Sequence, residues 1–206
     1  RDLRMSRGLG DVYKRQAGYF NSQEEVDAYA KDGKKIQPAA EPGDIKFVDA
    51  NNDGVINDDD RVFQGSPFPD FTFALNGNMR YKNFDLSIGL QGVLGNKIYN
   101  ATRQTLEDVT KGSNFLASCL DYWTPENKNA SHPRLTWDDP NRNTRAESDR
   151  YLENGSYLRL RSVQLGYTFP QTWFKGAIQH ARVYINAENL FTITSYSGYS
   201  PDVLSL

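Results

Sequence analysis

Between residues 49 and 60 the chain reads DANNDGVINDDD, and its oxygen-bearing side chains fall at the spacing of a twelve-residue calcium loop. Asp49, Asn51 and Asp53 stand at positions 1, 3 and 5, Val55 offers a backbone carbonyl at 7, Asn57 sits at 9 and Asp60 closes the loop at 12. Gly54 at position 6 suits the sharp turn, and Ile56 at 8 is the apolar residue that pins such a loop to its support. Calcium is a hard cation that takes many oxygens, and one short segment delivers them here. Two features depart from the sensor pattern. Asp60 has a shorter reach than the usual Glu, and no second loop or clear flanking helices accompany it. The competing reading is an Asx-rich turn, its side chains bonded to backbone N–H groups and its charge balanced by Arg61.

Other chemistry is sparse. GxSxG, P-loop, HExxH and GxGxxG patterns are absent. Asp138 with Asp139, or Glu147 with Asp149, has the residue types of a glycosidase pair. Acidic residues in a polar loop are as a rule merely solvated, so no catalytic residue is assigned and no enzyme is expected. Cys119 is the single cysteine, which excludes an internal disulfide framework and a four-cysteine zinc site, and His132 and His180 lie far apart. A net charge of -2 leaves no basic footprint for nucleic acid. Trp123, Trp137 and Trp173 are of a type that stacks on sugar rings, though Trp173 beside Phe174 reads more simply as an interfacial anchor.

What positions these residues is a set of strands. Hydrophobic residues make up 38% of the 206 residues, low for a packed globule, while aromatics reach 13%. No run approaches 18 consecutive apolar residues, which excludes a membrane-spanning helix but not a spanning strand, since only alternate strand residues meet lipid. Phe71, Phe73, Leu75, Gly77, Met79 and Tyr81 alternate with Thr72, Ala74, Asn76, Asn78 and Arg80. After Lys82-Asn83, Phe84, Leu86, Ile88 and Leu90 alternate with Asp85, Ser87, Gly89 and Gln91. Two runs joined by so short a link predict an antiparallel hairpin, each arm long enough to cross a bilayer at a tilt. A third strand is expected over Ser156–Phe169 with a bulge near Arg161, where the apolar parity changes, and a fourth over Ala181–Thr192.

The remainder divides into connections. Residues 1–16 have no apolar leader core, and Asp11–Gln16 resembles the translation of a sequencing adapter, so 1–16 is expected to be a non-native lead-in. Residues 17–42 read as a connecting segment, with a short helix over Glu24–Lys31 capped by Ser22 and a polar surface stretch over 28–42. A short strand over Gly43–Val48 leads into an acidic loop region, 44–70. Residues 95–155 form a long insertion with helices near Ala101–Val109 and Phe115–Tyr122. Short links at Lys82-Asn83 and Pro170–Gln179 alternate with long ones, as periplasmic turns and extracellular loops do in outer-membrane barrels. The fold expected is all-β: an antiparallel segment of a large outer-membrane β-barrel over 43–206, with long extracellular loops carrying short helices. The alternative is a secreted calcium-binding, sugar-binding β-sandwich, in which the same apolar faces form a dry core.

A series of motifs in order adds a resemblance. Gly43-Asp44-Ile45 before the acidic loop, Gly65-Ser66-Pro67 with Pro69, YKNFDL over Tyr81–Leu86 and Gln91-Gly92 resemble SusC/RagA-type TonB-linked outer-membrane proteins. So do YWTPEN over Tyr122–Asn127, NGSYLRL over Asn154–Leu160, Leu165-Gly166-Tyr167, and RVYINAENLF over Arg182–Phe191. The likeness covers roughly Gly43–Pro201. It implies part of a plugged barrel that imports oligosaccharides or peptides across the outer membrane of a Gram-negative, Bacteroidota-like cell. A SusD-like surface lipoprotein would serve as lid and TonB as the source of energy. The plug, the TonB-contacting segment and most barrel strands lie outside these residues, and no substrate-binding residue carries over.

Overall fold

Period-two patterning becomes strand through much of the chain. In order the elements are β1 (Val12–Lys14), β2 (Gln16–Tyr19), α1 (Gln23–Ala28), β3 (Ala30–Lys31), β4 (Lys34–Lys35), β5 (Ile45–Phe47), β6 (Arg61–Phe63), β7 (Phe71–Tyr81) and β8 (Phe84–Leu94). There follow β9 (Lys97–Tyr99), α2 (Ala101–Glu107), β10 (Leu152–Asn154), β11 (Tyr157–Phe169) and β12 (Ala181–Thr194). The computed structural model describes residues 12–112, 114–144, 148–174 and 178–202. The chain divides into two units: Arg1–Ser66 with Tyr99–Glu153, and Pro67–Ile98 with Asn154–Leu206.

The second unit holds a four-stranded antiparallel sheet in the order β12-β11-β8-β7. β7 and β8 form the expected hairpin without a slip, from Phe71 opposite Leu94 to Tyr81 opposite Phe84, turning at Lys82 with φ 52. β11 pairs with β8 on one side and β12 on the other, and both ladders shift register between Leu160 and Ser162, the bulge the parity change required. Directly opposed residues share a face. One face therefore carries Phe71, Leu75, Met79, Phe84, Leu86 and Ile88, continued by Leu165, Val183 and Ile185. The other carries Asn76, Asn78, Arg80, Asp85, Ser87 and Gln91, continued by Arg159, Gln164, Arg182 and Asn186. The apolar side chains are uncovered: Met79 is 67% exposed and Ile185 74%. Among the described residues no second sheet lies on that face, so the β-sandwich alternative is not the fold adopted.

Aromatics gather where β8 begins and β11 ends. The Phe84 and Tyr167 rings lie 4.8 Å apart, Tyr167 and Phe169 5.1 Å, and Trp173 stands 5.7 Å from Phe169. Such a cluster at the short-turn end of long strands has the composition of a barrel's aromatic girdle, and the exposed Trp173 belongs to it.

The first unit has small cores. Phe20, Val26 and Ala40 pack together with Tyr29, and Ile45 and Phe47 pack with Tyr19 and Ile56. α1 starts at Ser22, whose hydroxyl accepts the Glu25 N–H at 3.3 Å, and ends at Ala28 rather than Lys31. It stops there because the chain reverses through Asp32 and Gly33, both at positive φ, into the β3–β4 hairpin. Residues 12–14 and 16, within the expected lead-in, carry strand pairing, β1 with β6 and β2 with β5, while residues 1–11 lie outside the described residues. One expectation about burial is corrected. The polar stretch 28–42 is not a surface connection throughout, since Ile36, Gln37 and Ala40 are buried. In the insertion α2 forms as expected, but Phe115–Tyr122 yields only a 3-10 turn at Ala117–Leu120.

Candidate functional site

The acidic loop hangs between β5 and β6, and its side chains turn inward on their own backbone. Asp49 accepts the N–H groups of Asp53 at 3.1 Å and Gly54 at 2.8 Å. Asn51 accepts Asp53 N–H at 2.9 Å, and Asp53 accepts Val55 N–H at 2.9 Å. Gly54 takes φ 90, the turn expected at that position. The Val55 N–H bond, and after it the Asn51 amide, hold the Asp53 carboxyl below its ordinary value. Asn57 caps the 3-10 turn Asp58–Asp60, and Asp60, fully buried, accepts Ala50 N–H and Asn57 N–H at 2.8 Å each. Ile56 packs on Ile45 and Phe47, pinning the loop as expected. Arg61 balances charge through Asp58 at 3.0 Å. Among the described residues no three His, Cys, Asp or Glu side chains gather as a group that would hold a metal ion. The six residues of the calcium pattern thus share one loop, while the three carboxylates are drawn to separate backbone donors.

Of the acidic pairs with glycosidase residue types, Asp139 and Asp149 bond to backbone N–H groups. Asp139 accepts the backbone N–H groups of Asn143 at 2.7 Å and Thr144 at 3.1 Å. Asp149 accepts Gln16 N–H at 3.1 Å. Glu147 lies outside the described residues. Of the tryptophans, Trp123 is buried, while Trp137 and Trp173 are exposed.

Two arrangements escaped sequence reasoning. Asp44, fully buried, receives Arg134 Nε at 2.6 Å and Nη2 at 3.2 Å, with Asn143 Nδ2 on the same carboxylate at 2.8 Å. Beside it Gly43 has φ 91, and a Cβ there would stand 2.4 Å from the Trp123 ring. The Gly43-Asp44-Ile45 motif and the Trp123 motif are therefore two halves of one contact. On the sheet, Arg182 grips Asp85 from two strands away, Nε to Oδ1 at 3.0 Å and Nη2 to Oδ2 at 2.5 Å. The pair passes over Gly166 of β11, where a Cβ would lie 2.4 Å from Arg182 Nη2. Glycine is the residue whose lack of a side chain lets the ion pair span the polar face.

A sheet whose strands run 11 to 14 residues, apolar and bare on one face and polar on the other, is an antiparallel stretch of a large outer-membrane β-barrel. No protein-family model matches the chain. It is 35% identical over 164 residues to TonB-dependent receptor P3 of Formosa agariphila, a match covering 79% of this chain and 16% of that receptor. It is 33% identical over 192 residues to TonB-dependent receptor P26 of the same organism (90% and 18%). To TonB-dependent receptor SusC of Bacteroides thetaiotaomicron it is 30% identical over 181 residues (86% and 16%). The chain thus spans less than a fifth of the length of these relatives. Its fold superposes on the RagAB peptide importer in the 'open-open' state with a TM-score of 0.70 at 24% identity, over 93% of this chain and 19% of that one. The chain belongs to the SusC/RagA-type TonB-dependent receptors, and its place is the outer membrane.

Proposed function

We propose that the protein to which this segment belongs imports oligosaccharides or peptides across the outer membrane, energised through TonB and working with a SusD-like surface lipoprotein, and that it is not an enzyme. The observation that carries the reading is the register of the four-stranded sheet. It sorts most apolar side chains to one face and Asn, Gln, Ser, Arg and Asp to the other, as lipid on one side and a watery lumen on the other require. The SusC and RagAB likenesses support the choice of partner and cargo. A chimera in which this chain replaces the matching stretch of SusC tests it. Expected are outer-membrane assembly, retention of the partner lipoprotein on purification, and uptake of the parent's substrate that disappears without TonB. A chimera that assembles but neither retains the lipoprotein nor supports uptake sinks the proposal.

Calcium at Asp49–Asp60 is a second, separable proposal, supported by the six-residue spacing. Carboxylate oxygens have more than one lone pair, so the internal N–H bonds of Asp49 and Asp53 do not by themselves exclude a cation. Calorimetric titration of the assembled protein with calcium should give a saturable heat that Asp49→Ala removes. Absence of calcium-specific heat would leave the loop as a self-bonded Asx turn.

A further inference from the structure

A group of charged side chains closes around His132 inside the first unit. His132 and Glu107 are each 1% exposed, and the Arg150 side chain is nearly as buried. Glu107 stands at the end of α2, and Arg150 in the 3-10 turn Asp149–Tyr151. Glu107 Oε1 accepts Arg103 Nε at 2.8 Å, while Oε2 accepts Arg150 Nε at 3.2 Å and Nη2 at 3.0 Å. Arg103 continues to Glu153, and Arg150 donates onward to the Tyr19 hydroxyl and the Ser131 carbonyl. Two guanidiniums thus meet two carboxylates, and the charge balances without the histidine.

His132 is fixed from its own side. Its backbone N–H donates to the Asp121 carbonyl at 3.0 Å, and its carbonyl accepts Trp123 N–H at 2.9 Å. Imidazole Nδ1 lies 3.0 Å from the Pro133 carbonyl, which can only accept, so Nδ1 carries the ring proton and Nε2 is a bare lone pair. That Nε2 is buried, has no hydrogen-bond partner among the described residues, and lies 3.9 Å from Glu107 Oε2. A lone pair gains nothing from a carboxylate, whereas an N–H in its place would gain a charge-assisted bond. The proton would also bring a third cation to two anions. Burial, above all, holds the imidazole below its ordinary value; the Pro133 carbonyl opposes this, Arg150 adds to it and Glu107 opposes it. Asp121 is turned away to Ser131 N–H and the Asn127 amide, and burial pushes the Cys119 thiol up, which keeps it neutral.

We propose that His132 is an acid-operated latch in the first unit. Neutral, it leaves Glu107 free to clamp α2 to the Asp149–Tyr151 turn through Arg150. Protonated, it draws Glu107 Oε2 toward Nε2, away from Arg150, and the turn is released. The native state takes up this proton less readily than the unfolded chain does. Stability of the joint is therefore complete above about pH 6.5, the ordinary histidine value, and falls as the pH drops through it.

Hydrogen–deuterium exchange of the assembled protein, corrected for intrinsic exchange rates, tests this at about pH 7.5 and about pH 5, on either side of that value. Exchange across Ala101–Glu107 and Asp149–Asn154 should rise several-fold in acid, within the ceiling of about tenfold per pH unit that one proton sets. The β7–β8 hairpin should not change. His132→Asn keeps a donor for the Pro133 carbonyl but does not titrate, and it should flatten the pH profile; His132→Gln is a second such replacement. The proposal is overturned if the unsubstituted protein shows no acid rise, if the rise persists in either variant, or if the hairpin opens in parallel. It also falls if neither variant assembles at about pH 7.5, since the imidazole then serves packing rather than a switch.

Discussion

Replacing Asp44 by alanine should open the first unit, at a cost of about 3–5 kcal/mol, the usual penalty for breaking a buried ion pair from one side. Asp44 is the point at which Arg134, Asn143 and the Glu41 backbone N–H meet, at 2.6, 2.8 and 2.9 Å for their nearest contacts. Removing the carboxylate leaves the Arg134 guanidinium with Glu41 alone at 2.6 Å, a partner that is largely in solvent and therefore a weak substitute. Asn143, which also accepts the Ile45 N–H at 2.9 Å, loses the bond that orients its amide. Gly43→Ala should act on the same joint by a different route. It forces a Cβ into the Trp123 ring and strains a residue at φ 91, costing about 2–5 kcal/mol when the overpacking and backbone penalties combine. Hydrogen–deuterium exchange on the assembled protein should show faster exchange at Ile45 and Phe47 and around Trp123 in both variants. The β7–β8 hairpin should keep its protection. Unchanged exchange at Ile45 would show that the buried carboxylate does not hold this joint.

That joint illustrates which parts of the molecule were legible in sequence. Alternation between Phe71 and Leu94 has one solution, because a slip of one residue would move every apolar side chain to the wrong face. The hairpin register followed from local pattern, as did the bulge, since Leu158 and Leu160 stand on the opposite parity from Val163 and Leu165. The Asp44–Arg134 bond joins residues 90 positions apart, and no periodicity encodes it. Motif order pointed at Gly43 and Trp123 separately without revealing that one ring covers the other's backbone.

The polar stretch over 28–42 was misread for a related reason. Its lysines are solvated, but Gln37 is buried because Phe47 N–H, the Ile45 carbonyl and Asn141 satisfy its amide. A polar side chain can enter a core when its partners arrive from elsewhere in the chain, and composition averages over that. The acidic loop shows the opposite limit. Spacing placed Asp49, Asn51, Asp53 and Gly54 in one tight turn correctly. Two readings share that spacing, and they differ in whether oxygens face a cation or the backbone, which spacing does not specify. Asp60 was assigned to close a metal shell, whereas it also completes a capping box with Asn57, a role that the Asn-x-x-Asp spacing carries equally well.

Expressed by itself, this chain should not persist as a soluble monomer. β7 and β12 are the outer strands of the four-stranded sheet, and each presents unpaired N–H and C=O groups along one side. Closure into a barrel would pair them, but closure requires strand number, tilt and shear to agree, and four strands do not meet that condition. The apolar face adds to the drive for association: Phe71, Leu75, Met79, Phe84, Val183 and Ile185 are each more than half exposed in this sheet. At about 25 cal/mol for every Å² removed from water, covering such a face outweighs the entropy of dispersed monomers. Light scattering of the purified chain in detergent-free buffer should therefore report oligomers or precipitate, and detergent should disperse them by coating the apolar face. Leu86→Asp with Ile185→Asp should shift the balance toward smaller species, while Ser87→Asp with Asn186→Asp, on the polar face one residue away, should change it far less. A monomer with a cooperative melt in plain buffer would mean that these side chains find a dry core, and the barrel-wall account of the sheet would fall.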